Sequence, residues 1–170
     1  MHKILIISCG GTFSKVYDPI KGELYIPKNL DILRDLLNRF FKNNIDFIKL
    51  QEYIYKDSLD MTQQDREGLK RLISNSSYHK FIVIHGTDTM DLSAKEIETL
   101  AITQNKEVVF VGSMEPISFN PIEGSINLGV AYGFLQSNNK SGIFLSMNGI
   151  ISSVDKIVKN KQLGYFQWQK

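Results

Sequence analysis

The sequence predicts an α/β domain built on a doubly wound parallel sheet. Two observations predict it. Short, continuously apolar runs alternate along the chain with amphipathic segments of helical spacing, and a cluster of small and polar residues follows each run. Strands covered by helices on both faces read as continuous apolar runs, whereas strands with a wet face alternate. Strand alternating with helix implies one parallel sheet, here of the flavodoxin-like kind, in a single domain.

The elements follow in order. Residues 3–8 (KILIIS) read as a strand buried on both faces and run into a glycine-rich turn. Leu30, Leu33, Leu37, Phe40 and Phe41 recur at helical spacing and predict a helix over roughly 28–42. Residues 46–53 predict a second strand. Thr62 followed by Asp65 resembles a capping box ahead of Leu69, Leu72 and Ile73, which predicts a second helix. Residues 81–85 (FIVIH) form the third strand, and a helix over about 92–104 carries Ile97, Leu100 and Ala101 on one face. A strand at 107–111, a helix at 124–136 and a fifth strand at 142–147 complete the series, with a plain turn at 138–141.

Bulk composition bounds the function. The 170 residues suit one domain with a real core. Twenty basic and 18 acidic residues leave a charge of only +2, which gives no electrostatic footprint for nucleic acid or an anionic membrane. A small molecule or another copy of the chain is the expected partner. The single cysteine, Cys9, forbids an intrachain disulfide and points to a reducing compartment. Ile6-Ile7-Ser8-Cys9 imitates a lipoprotein cleavage site, but the apolar stretch from Ile4 to Ile7 is too short for a signal core. No run approaches membrane-spanning length, so a cytoplasmic protein is expected.

In open parallel sheets, ligands bind beyond the carboxyl ends of the strands. There the sequence places Cys9-Gly10-Gly11-Thr12, Asp57-Ser58-Leu59-Asp60-Met61-Thr62, His85-Gly86-Thr87-Asp88-Thr89-Met90, Gly112-Ser113-Met114-Glu115-Pro116 and Asn148-Gly149. Topology crowds these loops onto one sheet edge, which makes a site.

Each cluster also has a plainer reading. Gly10-Gly11 could be a tight strand exit. A dinucleotide fingerprint and a P-loop lysine pattern are both missing, so no nucleotide cofactor is expected. Asp60 could serve as a helix cap, and Asp88 and Asp91 as helix-entry carboxylates. His85 reads as a structural histidine at a strand end, and Cys9 as a small buried residue. His2 and His79 lack acidic or cysteine partners at ligand spacing, so no metal is expected. Lys159, in a run with Lys156 and Lys161, reads alone as solvated surface. Together, hydroxyls and an acid at one sheet edge suggest acyl transfer by an activated threonine, with a lysine holding a carboxylate charged and passing protons.

At these loops the chain resembles the L-asparaginase family of bacterial threonine amidohydrolases, in its amino-terminal domain. Cys9-Gly10-Gly11-Thr12-Phe13-Ser14 resembles the first signature, usually Thr-Gly-Gly-Thr-Ile and a small residue. His85-Gly86-Thr87-Asp88-Thr89-Met90 matches the second throughout. Asp57-Ser58-x-Asp60-Met61-Thr62 is similar to the substrate loop, and Gly112-Ser113-Met114-x-Pro116 and Glu123-Gly124-x-x-Asn127-Leu128 to two further segments. The motifs keep the family's order over essentially the whole chain.

The resemblance implies hydrolysis of L-asparagine, or a related small amide, to aspartate and ammonia. Thr12 would be the nucleophile. Thr87, Asp88 and Lys159 would form the second catalytic group, relaying protons or, in another reading, positioning the water with Thr87. Lys159 is placed by its spacing from Met147-Asn148. Tyr25 resembles the tyrosine of a mobile loop over Thr12, with Tyr17 as its rival. Asp57, Ser58, Leu59 and Ser113 fall on substrate-binding positions, Ser58 toward the α-carboxylate and Asp88 toward the α-ammonium. The Tyr25-Ile26-Pro27 and Gly112-Ser113-Met114 segments look closer to the cytoplasmic branch.

Three departures qualify this picture. Cys9 replaces the usual first threonine, and Leu59 replaces a residue often polar. The third is length: family members carry a second domain, which lends an acidic residue to a neighbouring subunit's site, and this chain is expected to lack it. The alternatives are therefore a non-catalytic amino-acid-binding module, or a domain completed as a homo-oligomer or by a separate partner chain. The apolar end Tyr165-Phe166-Gln167-Trp168 either tethers to the domain or marks a surface for a partner.

Overall fold

The computed structural model describes residues 2–169. In chain order the elements are β1 (Ile4–Gly10), β2 (Val16–Asp18), β3 (Glu23–Tyr25), α1 (Asp31–Phe41), β4 (Ile48–Lys56), α2 (Gln63–Asn75), β5 (Lys80–Ile84) and α3 (Met90–Thr103). There follow β6 (Glu107–Val111), α4 (Pro121–Ser137), β7 (Gly142–Met147), β8 (Ile150–Ser153), β9 (Ile157–Asn160) and β10 (Tyr165–Trp168). The main sheet runs in the order β4, β1, β5, β6, β7, β8, and all pairings but the last are parallel. The expected doubly wound sheet is thus present, extended by one antiparallel edge strand.

Burial on both faces explains why the central strands read as unbroken apolar runs. In β1, Leu5, Ile7 and Cys9 face one core, while Ile4 and Ile6 face the other. Helices α2 and α3 cover the first core with Leu69, Ile73, Met90, Ala94 and Ile97; α1 and α4 cover the second with Leu33, Leu37, Leu128 and Leu135. Each fully buried Ile or Leu contributes about 1.5–3 kcal/mol by leaving water.

The element ends differ from the sequence reading for local reasons. Helix α1 spans 31–41 and stops at Lys42, whose φ is +37°. A 3-10 segment at Lys42–Phe47 then delays the second strand, which runs 48–56 and not 46–53. As an edge strand it is only half-buried, so its pattern is weak. The capping box of α2 forms as expected: Asp65 N–H donates to Thr62 Oγ1 at 3.2 Å, and Thr62 N–H to Asp65 Oδ2 at 2.7 Å. Helix α4 starts earlier than 124, at Pro121, because the Asn120 side chain accepts from Ile122 N–H at 3.1 Å and proline suits the first turn.

Three strands escape the sequence reading beyond the hairpin β2–β3: β8, β9 and β10. Of these, β8 had a local signal. Asn148 and Gly149 both adopt positive φ, +51° and +72°, the turn that joins antiparallel strands in two residues. The apolar end forms β10, paired with β9; Phe166 packs into the core while Tyr165 and Trp168 stay exposed. This end is a tether. It is fixed further by Phe166 N–H donating to Asn148 Oδ1 at 2.8 Å.

Gly133 lies inside α4, and a Cβ built there meets nothing within 4 Å. Gly133→Ala is expected to stabilise the protein by about 0.5–1 kcal/mol, because it removes backbone freedom from the unfolded chain without a clash. A denaturant midpoint that falls would contradict this.

Candidate active site

Glycines bring the loops together at the carboxyl edge of the sheet, at the β1–β5 switch point. Gly11 has φ +74° and ψ −176°, a conformation open only to glycine. A Cβ placed on it would stand 2.4 Å from Gly86 Cα, so the Thr12 loop lies directly on the loop after β5. On Gly86 a Cβ would stand 2.7 Å from Ser58 Cβ, which adds the loop after β4 to the stack. Gly11 N–H also donates to Lys56 O at 2.9 Å. From the other side, Gly124 lets α4 approach Phe13, the fully buried neighbour of Thr12. Thr12 itself opens a short 3-10 turn, Thr12–Ser14. Its half-buried hydroxyl forms no hydrogen bond among the described residues.

Lys159 on β9 reaches the loop after β5 from the tethering hairpin. Its Nζ donates to Thr87 Oγ1 at 2.8 Å and to Asp88 Oδ1 at 2.7 Å. The lysine side chain is only 12% exposed and that of Asp88 37%, so this pair is partly shielded from water. Chain separations of 71 and 72 residues explain why no local pattern revealed it. The basic run that reads as surface is split, with Lys156 and Lys161 exposed and Lys159 turned inward. A cleft of about 520 Å³ opens along Thr87, Asp88, Lys159 and Phe166.

The loop after β4 is held rigidly. Ser58 is buried, and its Oγ accepts from Asp88 N–H at 3.2 Å. Thr89 Oγ1 donates to Ser58 O at 2.7 Å, and buried Arg66 donates both to Thr89 Oγ1 and to Met61 O. Asp57 has both oxygens engaged, Oδ1 by Leu59 N–H and Oδ2 by Lys15 Nζ at 2.7 Å. Burial pushes the Asp57 carboxyl up, but the Lys15 hydrogen bond, the Leu59 and Ser58 amides and the Lys15 charge outweigh it and hold it below its ordinary value. Asp60 does not cap α2; Thr62 does.

Tyr25 closes β3 at 45% exposure and lines a second cleft of about 450 Å³ with Lys15, Asp57 and Leu59. Tyr17, its rival, pairs across the same hairpin with Leu24. Leu59 is 68% exposed and offers that cleft no polar group. Ser113 is fully buried, and its hydroxyl donates to Glu115 O. Among the described residues no set of three metal-binding side chains gathers, and no helix is long and apolar enough to cross a membrane.

His85 and Cys9 are buried structural groups. Gly86 O can only accept, so His85 Nδ1–H donates to it at 2.7 Å and Nε2 accepts from Ser93 Oγ at 2.8 Å, which fixes the neutral tautomer. Burial above all, with Arg66 adding to it and the Gly86 bond opposing, pushes the His85 pKa down from 6.5 to about 4. The Cys9 thiol is pushed up by burial and by Asp65, the opposite of an activated nucleophile. Unfolded, His85 takes up a proton as pH falls through 6.5; folded, it resists until about 4. Stability is therefore full above 6.5 and falls below it. Between pH 7 and pH 5 this one group is expected to cost about 2 kcal/mol, and His85→Gln should flatten that slope in urea titrations. Equal slopes would refute the assignment.

Sequence reasoning gave no role to the residues that bind the loops to one another, although Glu123 and Asn127 stand in a quoted motif. Asn127 Nδ2 donates to Gly112 O at 3.0 Å, and its Oδ1 accepts from Gly149 N–H, clamping the loops after β6 and β7. Glu123 Oε2 accepts from Met114 N–H at 2.8 Å. Lys15 carried no signal, since its partner Asp57 lies 42 residues away.

Comparison with known proteins decides the family. The family model described as "Asparaginase, N-terminal" matches residues 3–166. The chain belongs to the asparaginase family. L-asparaginase 1 of Escherichia coli K12 is 30% identical over 109 residues, covering 61% of this chain and 32% of that relative. The probable periplasmic L-asparaginase of Haemophilus influenzae is 27% identical over 169 residues, covering 94% and 46%. In structure, this asparaginase-family domain is similar to the probable cytoplasmic L-asparaginase of Campylobacter jejuni, with TM-score 0.79, 24% identity and coverage of 99% and 52%. It is similar also to L-asparaginase I of Vibrio cholerae, with TM-score 0.83, 21% identity and coverage of 99% and 52%. These structural likenesses show the fold. The chain spans about half the length of such relatives, or less, and carries the family's amino-terminal domain.

Proposed function

We propose that the protein hydrolyses L-asparagine, or a closely related small amide, to aspartate and ammonia with Thr12 as nucleophile. The observation that carries this is the Lys159–Thr87–Asp88 constellation on the sheet edge where the Thr12 hydroxyl has no partner among the described residues. Thr12 Oγ1 attacks the side-chain amide carbon, the C–N bond breaks, and the amide nitrogen takes up the proton of the Thr12 hydroxyl and leaves as ammonia. Water then cleaves the aspartyl ester on Thr12. Lys159 holds the Asp88 carboxyl group in place for the substrate ammonium. It also occupies a lone pair of Thr87, leaving the Thr87 O–H free to exchange a proton with the reacting groups. Backbone N–H groups near Thr12 and Ser113 supply the oxyanion contacts, and Tyr25 closes on its hairpin over the bound amide.

The site is read as complete in its amino-domain half, working as a homo-oligomer or with a separate partner chain. A lone buried cysteine supports a cytoplasmic setting. The test is ammonia release from L-asparagine by the purified chain at millimolar substrate. Release no faster than in buffer, with binding retained in calorimetry, would support instead an amino-acid-binding module.

A further inference from the structure

The reading above needs donors for the substrate's carboxylate, and the loop assigned to that end supplies no cation among them. Ser58 is buried and its Oγ accepts from Asp88 N–H, which leaves it one neutral O–H donor; Leu59 is apolar, and Asp57 and Asp60 are acids. Two lysines line the cleft beside Tyr25, Lys15 and Lys56. Lys56 Nζ is held at 2.8 Å by Asp65, which also caps α2 through Thr62 N–H and is the less exposed partner. Lys15 stands three residues after Thr12 and bridges to Asp57, next to Ser58. Its backbone is pinned at both ends: Lys15 N–H donates to Thr12 O at 3.1 Å, and Ser118 Oγ donates to Lys15 O at 2.8 Å. The ammonium is thus fixed between the nucleophile loop and the substrate loop, a quarter exposed toward the cleft.

We infer that Lys15 is a specificity-determining residue of this site: its ammonium receives the carboxylate of the amide substrate, in the place where Leu59 offers no polar contact. The inference rests on the proposed amide substrate. Asp57 shares the cation in the empty site and keeps it oriented, its carboxylate ionised by the same contact. An ammonium has three N–H donors, so one can stay on Asp57 while another turns to the substrate. The preferred substrate class is therefore an amide that also carries a carboxylate, and an amide without one is disfavoured.

The test compares L-asparagine with 3-aminopropanamide, which keeps the amide and the ammonium but lacks the carboxylate. Calorimetry gives Kd for both on the wild-type chain, Lys15→Met and Lys15→Arg, and ammonia release adds kcat and KM wherever turnover is seen. The expected result is that the wild type prefers L-asparagine, that the preference falls about ten-fold or more in Lys15→Met through Kd and KM more than kcat, and that Lys15→Arg restores much of it. Equal losses on both compounds in Lys15→Met would mean a purely structural strap and overturn the inference. An unchanged preference, or a wild type that binds neither compound, would overturn it too. Binding preference without any ammonia release would sink the hydrolase reading while leaving the Lys15 assignment standing.

Discussion

Thr12→Ala is expected to lower kcat for L-asparagine by at least about a thousand-fold, roughly 4 kcal/mol of barrier, with little change in stability. The two halves of this expectation have separate causes. Removing the hydroxyl removes the attacking atom, and the neighbouring hydroxyls are anchored at other points of the site, Ser58 buried at Asp88 N–H and Thr87 at Lys159. Stability is spared because the Thr12 hydroxyl bonds no described residue, so no buried partner is left unsatisfied. Thr12→Ser keeps the nucleophile but frees its χ1 rotor, and should retain a measurable fraction of kcat. An alanine variant that turns over asparagine at the wild-type rate would remove Thr12 from the mechanism. A variant that loses turnover only because it unfolds would show it in its denaturant midpoint.

That separation depends on knowing which features of the site are chemistry and which are scaffold, and the sequence revealed them unequally. The central strands were legible because burial on both faces leaves a continuous apolar run; β6 and β7 fall on residues 107–111 and 142–147, as read. Helix α2 announced itself by Thr62 and Asp65, since a capping box is a local device with a local pattern. Strands of three or four residues, such as β2, β3, β9 and β10, are too short for periodicity to show. The Asn148-Gly149 turn was visible but read only as a polar cluster, which cost the antiparallel edge. In the site, Thr12, Thr87 and Asp88 sit in motifs, whereas Lys159 read alone as a surface lysine and took its place from family resemblance. Lys15 and Asn127 act through partners 42 and 15 residues away, and such pairings exist only once the sheet has folded.

Gly11→Ala tests the scaffold itself, and it is expected to destabilise the protein by on the order of 4 kcal/mol. Two penalties combine. Alanine must occupy φ +74°, ψ −176°, a region that costs a residue with a Cβ about 1–3 kcal/mol. Its Cβ must also find room 2.4 Å from Gly86 Cα and N and 2.9 Å from His85 C, atoms of backbone and not of a flexible side chain. Gly86 cannot retreat, because Ser58 stands behind it, and displacing packed groups adds about 1–3 kcal/mol. Gly22→Ala is the matched control. Gly22 also has positive φ, +69°, yet a Cβ there meets nothing within 4 Å, so only the backbone term of about 1–2 kcal/mol applies. The difference between the two variants in urea unfolding isolates the apposition of the first and third loops. Equal costs would mean that the loops are free to part. If the gap appears as expected, Gly11→Ala should also lose turnover in whatever fraction stays folded, because the shift that relieves the clash carries Thr12 away from Thr87 and Lys159.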